Sequence, residues 1–220
     1  MVKHQHLSRE ERIARNIADS QPILVDLRRQ GIQIDSLSDL VNTAIDYRSA
    51  IPSLIDWLGC TENLDIKETL VRALTVKWAR PIAARPLIRE FLRVPDSEEF
   101  GLKWAIGNAL SVAADDSVFD GIVALVKDKR HGRAREMLAV ALANMKNPKA
   151  VDVLIELLDD EEIAGHALSA LRKLAPPEAS EAIEPFVNHP KTWVRNEAKH
   201  ALKKIDSKLA RAAKKRAERK

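Results

Sequence analysis

The sequence is poor in the residues that build strands and sheets. Only 4% of its 220 residues are aromatic and only seven are glycine, while Ala, Leu, Ile, Glu, Lys and Arg dominate. Aromatic and β-branched residues favour strands, whereas Ala, Leu and the long charged residues favour helices. The composition therefore predicts an all-α fold.

Cysteine and long apolar runs are also scarce. The single cysteine, Cys60, cannot form an intramolecular disulfide, which fits a reducing compartment. The first residues contain no apolar signal-peptide core, and no run of about 18 apolar residues occurs. We therefore expect a cytoplasmic protein that is neither secreted nor membrane-bound.

Sequence signatures of common enzymes are missing. The chain has no phosphate-binding glycine loop and no CxxC, HExxH or GxSxG motif. His4 and His6 have no third metal ligand nearby, and the other histidines are interpreted as structural or surface residues. The sequence thus predicts no catalytic residue, no metal and no cofactor.

What the sequence does contain is an internal repeat. An Ala-Leu pair recurs with spacings of 36, 32, 29 and 31 residues, at Ala73-Leu74, Ala109-Leu110, Ala141-Leu142, Ala170-Leu171 and Ala201-Leu202. Six residues before each alanine stand Lys67, Lys103, Arg135, Ala164 and Arg195, of which four are basic. Each pair lies in a segment with helical apolar periodicity, so the repeat places equivalent residues on equivalent helices.

A second apolar segment precedes each of these helices, often with a proline near its start, where a missing amide proton costs little. The repeating unit is therefore helix, turn, helix, and such units must stack to bury their apolar stripes. We predict a right-handed α-α superhelix of about five helical hairpins, with units at 47–79, 80–114, 115–147, 148–175 and 176–205. Pro185 lies later in its segment and should kink that helix or displace its start.

The repeats resemble the short HEAT-like repeats first recognised in phycobilin lyase subunits. The best matching segments are LLDDEEIAGHALSALRKLA and FVNHPKTWVRNEAKHALKKI, the second with Trp193, Val194 and Arg195 where the family has its valine-arginine pair. The resemblance implies that second helices line the concave side and that each unit's base bonds to an acid in its own turn. The corresponding acids are Asp65, Asp96, Asp128 and Asp159, while Ala164 and His189 break the pattern in the last two units.

Residues 1–46 fall outside the period and are predicted to form an N-terminal helical cap. One helix should begin at Ser8, bend at Pro22 and close at Gly31, and DSLSDLVNTAIDY should form a second. Residues 206–220 are predicted to extend the last helix as a basic tail.

The sequence favours a non-enzymatic scaffold that binds another protein on its concave face. On the second helices, offsets −5, −1 and +2 from the repeated alanine should face outward. The predicted partner-binding residues are Glu68, Arg72, Trp104, Asn108, Glu136, Ser169, Arg172, Asn196 and His200. Trp104 is the candidate interface centre, with packing between adjacent repeats as the equal alternative.

The charge distribution leaves nucleic-acid binding as the alternative function. From residue 203 to 220 there are nine basic residues against two acids, which leaves the rest of the chain at −3. Candidate nucleic-acid contacts in the tail are Lys214, Lys215 and Arg216. Similar solenoids occur among alkylpurine DNA glycosylases, and the repeat type also suggests a chromophore lyase subunit, but an acidic body offers no clear phosphate track.

Overall fold

The structure, a computed structural model, describes residues 8–95 and 101–218. These residues form helices and connecting turns without any strand, which confirms the predicted all-α fold. The α-helices are α1 (Arg9–Arg29), α2 (Asp39–Asn42), α3 (Ile51–Cys60), α4 (Leu64–Ala73), α5 (Ala84–Arg93), α6 (Leu102–Ala113), α7 (Phe119–Lys127), α8 (Glu136–Leu142), α9 (Ala150–Glu156), α10 (Ala164–Leu174), α11 (Ser180–Ile183) and α12 (Thr192–Ala217). His4, His6 and Asp96 lie outside the described residues.

Helix α1 begins and ends where the sequence predicts. The Ser8 hydroxyl accepts the backbone N–H of Glu11, and the Glu11 carboxylate accepts the backbone N–H of Ser8, which makes a reciprocal capping box. The helix continues through Pro22 to Arg29, and Gly31 follows with φ of +85°. That left-handed conformation is the usual way for a helix to stop at glycine.

The second predicted cap helix is much shorter than expected. DSLSDLVNTAIDY was predicted to be helical throughout, but α2 covers only Asp39–Asn42. The Asp39 carboxylate accepts the backbone N–H groups of Asp35 and Ser36, and the Thr43 hydroxyl donates to the Asp39 carbonyl. Short polar side chains thus hold the backbone in turns that compete with the helix.

The remaining helices form pairs that stack in one direction. The pairs are α3 with α4, α5 with α6, α7 with α8, α9 with α10 and α11 with α12. The second helices α4, α6, α8, α10 and α12 also pack on one another in sequence, so they form a continuous layer. This is the stacked solenoid that the repeat predicts, with a core that runs along the array.

The repeated Ala-Leu pairs lie at the centre of that core. Every alanine of the five pairs is buried, as are the leucines of the first four, while Leu202 packs against the core from a half-buried position. Small alanines let adjacent helices approach closely, and the leucines fill the space between the two layers. The period found in the sequence therefore marks the line along which the units stack.

The last pair departs from the others at Pro185, as predicted. Helix α11 stops at Ile183, and residues Glu184–Asn188 form a turn of 3-10 helix that contains the proline. Proline inside a helix removes one backbone hydrogen bond and clashes with the preceding turn. By contrast, α12 continues for 26 residues, well beyond the repeat array.

Candidate functional site

Arg135 is the most buried charged residue of the second-helix layer. It is 1% exposed at the start of α8, and its guanidinium donates to Asp160 at 2.7 Å and to Glu162 at 2.5 Å. It also donates to the carbonyls of Val126 and Gly132. Burial lowers the pKa of Arg135, but the hydrogen bonds and charges of the two acids outweigh it and leave that pKa raised.

The other two buried bases have different partners. Lys67 of α4 forms an ion pair with Glu90 of α5, and both side chains are buried. Lys103 donates to the Val94 carbonyl at 3.0 Å and lies 5.0 Å from the centre of the Phe91 ring. Both Arg135 and Lys67 therefore connect one helix pair to the next along the chain.

For Lys67 and Arg135 this arrangement corrects the expectation that each base bonds to an acid of its own turn, whereas Asp96, the turn acid expected for Lys103, lies outside the described residues. Asp128 is bound by Arg130, whose hydrogen bonds hold the pKa of Asp128 far below its usual value. Asp65 accepts the Asn16 amide of the cap at 2.7 Å. The starts of α4 and α8 lie beside the following pair, so the acids that bind Lys67 and Arg135 belong to that pair.

A row of contacting aromatic and polar side chains crosses the outer face of the second-helix layer. The Trp104 indole N–H donates to Glu136 at 3.3 Å, Glu136 lies 3.9 Å from His166 Nε2, and the His166 and Trp193 rings meet edge to face at 5.5 Å. These four residues, here called the tryptophan seam, come from α6, α8, α10 and α12 respectively. The seam links four consecutive repeats by side-chain contacts.

Trp193 owes its position to a glycine on the neighbouring helix. Gly165 is buried beneath the indole, and a Cβ at this position would lie 1.9 Å from the ring. Trp193 itself stays 47% exposed. The glycine thus leaves room for a large aromatic surface to lie flat over α10 while its outer side faces solvent.

The protonation of His166 is set by the same surroundings. Burial lowers its pKa below the ordinary value of 6.5, and the nearby Arg133 lowers it further, while Glu136 and Glu197 act in the opposite direction. Burial disfavours the charged imidazolium because it removes the surrounding water. His166 is therefore neutral at neutral pH, as suits a ring packed against an indole.

Two of the predicted contact residues pair with each other on α4, and a third pairs across helices. The Arg72 guanidinium donates to Glu68 at 2.6 Å and 3.0 Å, and Arg172 lies 3.1 Å from Glu197. Asn196 and His200 are exposed on α12, whereas Ser169 is half-buried. The charges of Glu68, Arg72 and Arg172 are therefore already paired within the layer.

Glu136 is the clear error among the predicted contact residues. It was expected to face outward, but it is only 4% exposed. Arg133 donates to it at 2.9 Å from the turn before α8, and the Trp104 indole covers it from α6. Ser111 and Gly165, at two other positions predicted to face outward, are buried as well.

The contact of Trp104 with Glu136 shows that this tryptophan packs between adjacent repeats. It is half-buried and connects α6 to α8. Of the two alternatives left open by the sequence, packing between repeats is therefore observed. The two alternatives are compatible, because the ring keeps part of its surface accessible.

A groove of about 450 Å³ opens at the N-terminal end of the same layer. Arg72 and Asn108 form one side of it, and Val41, Ile45 and Trp78 supply much of the apolar surface. Tyr47 holds Trp78 edge to face at 4.6 Å. The two predicted residues are thus brought together beside an apolar surface that Val41 and Ile45 of the cap help to form.

The three predicted tail contacts lie in the last turns of α12. Lys214, Lys215 and Arg216 are all exposed, and Lys214 Nζ lies 3.8 Å from the Glu218 carboxylate. They contact none of the residues of the tryptophan seam. The tail is therefore a surface separate from the second-helix face.

Sequence reasoning missed four members of the second-helix face, namely His166, Trp193, Arg133 and Glu197. A signal for part of the arrangement was present, because Trp104 and Glu136 stand at the same offset, five residues before the repeated alanine, in successive units. Residues at equal offsets on stacked helices are neighbours. His166 and Trp193 stand at different offsets from the repeated alanine, so the repeat pattern does not predict their contact.

Two broader properties follow from the described part of the chain. Residues 8–95 and 101–218 hold no cluster of three His, Cys, Asp or Glu side chains arranged to bind a metal ion. Within the same ranges, no helix combines the length and the apolar character needed to cross a bilayer.

Comparison with known proteins supports the HEAT-like character of the repeats. The model of the PBS lyase HEAT-like repeat matches residues 134–160, which include all of α8 and α9. No curated protein matches the chain in sequence.

Among solved structures, a designed armadillo repeat protein in complex with the peptide (KR)4 superimposes with a TM-score of 0.50 at 17% identity, over 83% of this chain and 99% of that one. An engineered protein gives a TM-score of 0.47 at 20% identity, over 84% of this chain and 98% of that one. At this identity, the first likeness shows a shared fold and nothing further.

Proposed function

Because the chain is a solenoid of HEAT-like repeats, we propose that it is a non-enzymatic scaffold that binds an extended segment of a partner protein along its second-helix face. The observation that carries this proposal is the tryptophan seam, which joins the second helices of four consecutive repeats and has a tryptophan at each end. Repeat arrays commonly bind partners along such continuous faces. We place the interaction in the cytoplasm because the chain has a single cysteine.

The seam has the physical properties of an interface centre. Trp193 offers a large apolar surface, and its orientation is held by Gly165 beneath it and His166 beside it. A side chain that is already ordered loses little conformational entropy when a partner binds. Tryptophan is also among the residues that contribute most to binding energy at protein interfaces.

The charges of this face favour a protein over nucleic acid. Arg72 pairs with Glu68, Arg133 with Glu136, and Arg172 with Glu197. A protein binds a phosphate backbone through lysine and arginine side chains that can pair with the phosphates. Arginines that already pair with carboxylates supply few such charges. A polypeptide can instead bond to the outer sides of these pairs and pack on the indoles. The designed armadillo protein offers a parallel for an extended peptide as the occupant.

The geometry of the seam also disfavours general acid-base catalysis. Its only histidine-carboxylate contact joins His166 to Glu136, and Glu136 is buried under Trp104 and Arg133. A general base must reach the substrate proton directly or through one water molecule. We therefore propose that these groups fix the orientation of the indoles.

Site-specific photo-crosslinking in cells of the native host tests the proposal. A benzophenone amino acid is placed at Arg72 or Ser169 on the second-helix face, and at Arg89 or Asp152 on the exposed sides of α5 and α9 as matched controls. We expect both face positions to crosslink the same protein and the control positions to leave it uncaptured. Equal capture from both sets of positions would show that the face is not the binding surface.

The contribution of the seam is tested by adding Trp193→Ala to the Ser169 crosslinking variant. We expect the crosslinked product to decrease at least tenfold, while Leu209→Ala, which truncates a side chain of similar exposure at 48%, leaves it unchanged. Unchanged circular dichroism of both variants shows that the helices are intact. A product that survives Trp193→Ala would remove the seam from the interface.

A further inference from the structure

A strongly basic groove lies where α12 passes the end of α10. It encloses about 500 Å³, and its charged lining consists of Lys173, Lys203, Lys204, Lys208 and Arg211, with His200 at one side. No acidic residue lines it. None of its lining residues belongs to the tryptophan seam, so the two surfaces are distinct.

The basic residues of α12 continue beyond the groove along one side of the helix. At about 100° per residue, Lys204, Lys208, Arg211 and Lys215 fall within an arc of roughly 60° and extend over about 16 Å. We call these four residues the basic stripe. Residues 206–218 are exposed all around the helix, and Lys204 is exposed as well, so all four side chains of the stripe are accessible to solvent.

Contacts with the body fix the base of the stripe. The Lys204 ammonium donates to the Lys173 carbonyl at 3.1 Å, and that of Lys208 donates to the carbonyls of Leu174 and Ala175 at 3.2 Å and 3.0 Å. These carbonyls end α10, where the helix dipole favours positive charge. Because an ammonium has three donors, each lysine keeps at least one for a ligand.

We propose that the basic stripe binds the phosphate backbone of double-stranded DNA without reading its sequence. The stripe offers four cations. Of the two acids of the segment, Asp206 lies on the opposite side of the helix, and Glu218 lies one turn beyond Lys215 at the end of the stripe, where its carboxylate is 3.8 Å from Lys214 Nζ. An exposed helix about 10–12 Å across fits the major groove of B-form DNA, which is about 12 Å wide. The charge and the diameter of the helix both favour double-stranded DNA as the ligand.

Other polyanions fit the stripe less well. Residues 199–218 contain no Phe, Tyr or Trp side chain on which the bases of a single strand could stack. The major groove of duplex RNA is too deep and narrow for side chains to read. Leu209 is the one large apolar side chain in the projecting part of the helix, which is too little for insertion into a lipid surface.

Salt-dependent binding of the full-length chain to a mixed-sequence 20-base-pair duplex, followed by fluorescence anisotropy, tests the proposal. With four phosphates neutralised, the slope of log K against log salt should be roughly −3 to −4. Replacing Arg211→Gln and Lys215→Gln together should reduce the size of that slope by roughly 2. Glutamine preserves helix propensity, so circular dichroism should be unchanged.

The matched control removes the same charge from other sides of the same helix. Lys199→Gln with Arg216→Gln should keep the slope within about 0.5 of the unchanged chain, because both side chains point away from the stripe. An equal loss of slope in the two double variants would overturn the proposal, because it would show that only net charge matters. Absence of binding at 25 mM salt would overturn it as well.

Competition separates DNA from other anionic partners. At equal concentrations of negative charge, polyglutamate and vesicles containing phosphatidylserine should displace the duplex at least tenfold less effectively than unlabelled duplex does. Equal or better displacement by either would assign the stripe to an acidic protein or to a membrane surface and would overturn the proposal. Neither result affects crosslinking at Ser169, so this test is independent of the proposed scaffold function.

Discussion

The repeat body and the projecting end of α12 use the same charged residue types in opposite ways. In the body, Arg135 bridges Asp160 and Glu162, and Lys67 is buried against Glu90. On the projecting helix, the cations of the basic stripe face solvent beside few acids. The difference indicates that charge in the body holds neighbouring repeats together, whereas charge on the tail remains available to a ligand.

The largest loss of stability is expected for Arg135→Met. It removes the buried cation and leaves two acids and two carbonyls without their donor, so we expect the free energy of unfolding to fall by about 3 kcal/mol. Arg130→Met is the control, because Arg130 pairs with Asp128 at the surface and should contribute less than about 1 kcal/mol. Urea denaturation of both variants measures the difference, and equal losses would contradict the role of Arg135.

Gly165→Ala tests how tightly the seam is built. The new methyl group would occupy the position of the Trp193 indole, so we expect the ring to swing away from His166 and its fluorescence maximum to shift to longer wavelength. The stability should change by less than about 1 kcal/mol, because the gain in helix propensity offsets the lost contact. Gly59→Ala, where a methyl group meets open space, should leave the tryptophan emission unchanged.

His166 should make the stability of the body depend on pH. Its pKa is lowered in the folded chain, so the unfolded chain binds the proton more tightly. The contribution of the neutral ring is fully present above the unfolded pKa of about 6.5 and is lost as the pH falls towards the folded value. Denaturation midpoints of the unchanged chain and of His166→Gln between pH 7.5 and pH 5 should converge with acidification, whereas parallel curves would contradict this role.

The smallest effect should come from the tail. A chain that ends at Lys208 keeps the lysines that bind the end of α10 and loses only exposed residues. We expect its free energy of unfolding to stay within about 0.5 kcal/mol of the full chain, since surface changes rarely exceed that. A larger loss in urea denaturation would show that the projecting helix supports the body.

The arrangement of the fold was predictable because the sequence repeats it five times. The Ala-Leu period identified the helices that pack in the core, and the Ser8 and Pro185 predictions followed from local backbone chemistry. Each of these properties depends on residues close in sequence. The exception, α2, failed because serine and aspartate side chains competed for the backbone.

The candidate site was harder to predict because it depends on how repeats stack. Helical periodicity gives the direction of a side chain only to within about one residue. It also leaves out the turns, and Arg133 in the turn before α8 helps to bury Glu136. The acids that bind Lys67 and Arg135 belong to the following helix pair. Their identity depends on how neighbouring pairs are positioned, and the sequence of a single unit does not contain that information. Trp193 could be placed only once Gly165 was known to lie beneath it.

Arg135 bonds to two acids that are synthesised after it, so the order of synthesis affects when its hairpin can become stable. Its acids lie 25 and 27 residues later in the chain, so a nascent polypeptide that stops at residue 147 would hold a guanidinium without counter-charge in its interior. We therefore expect the third hairpin to reach its full stability only after α9 and the following turn, through residue 162, have left the ribosome. Cutting or recombining the array between these two hairpins would expose the same imbalance.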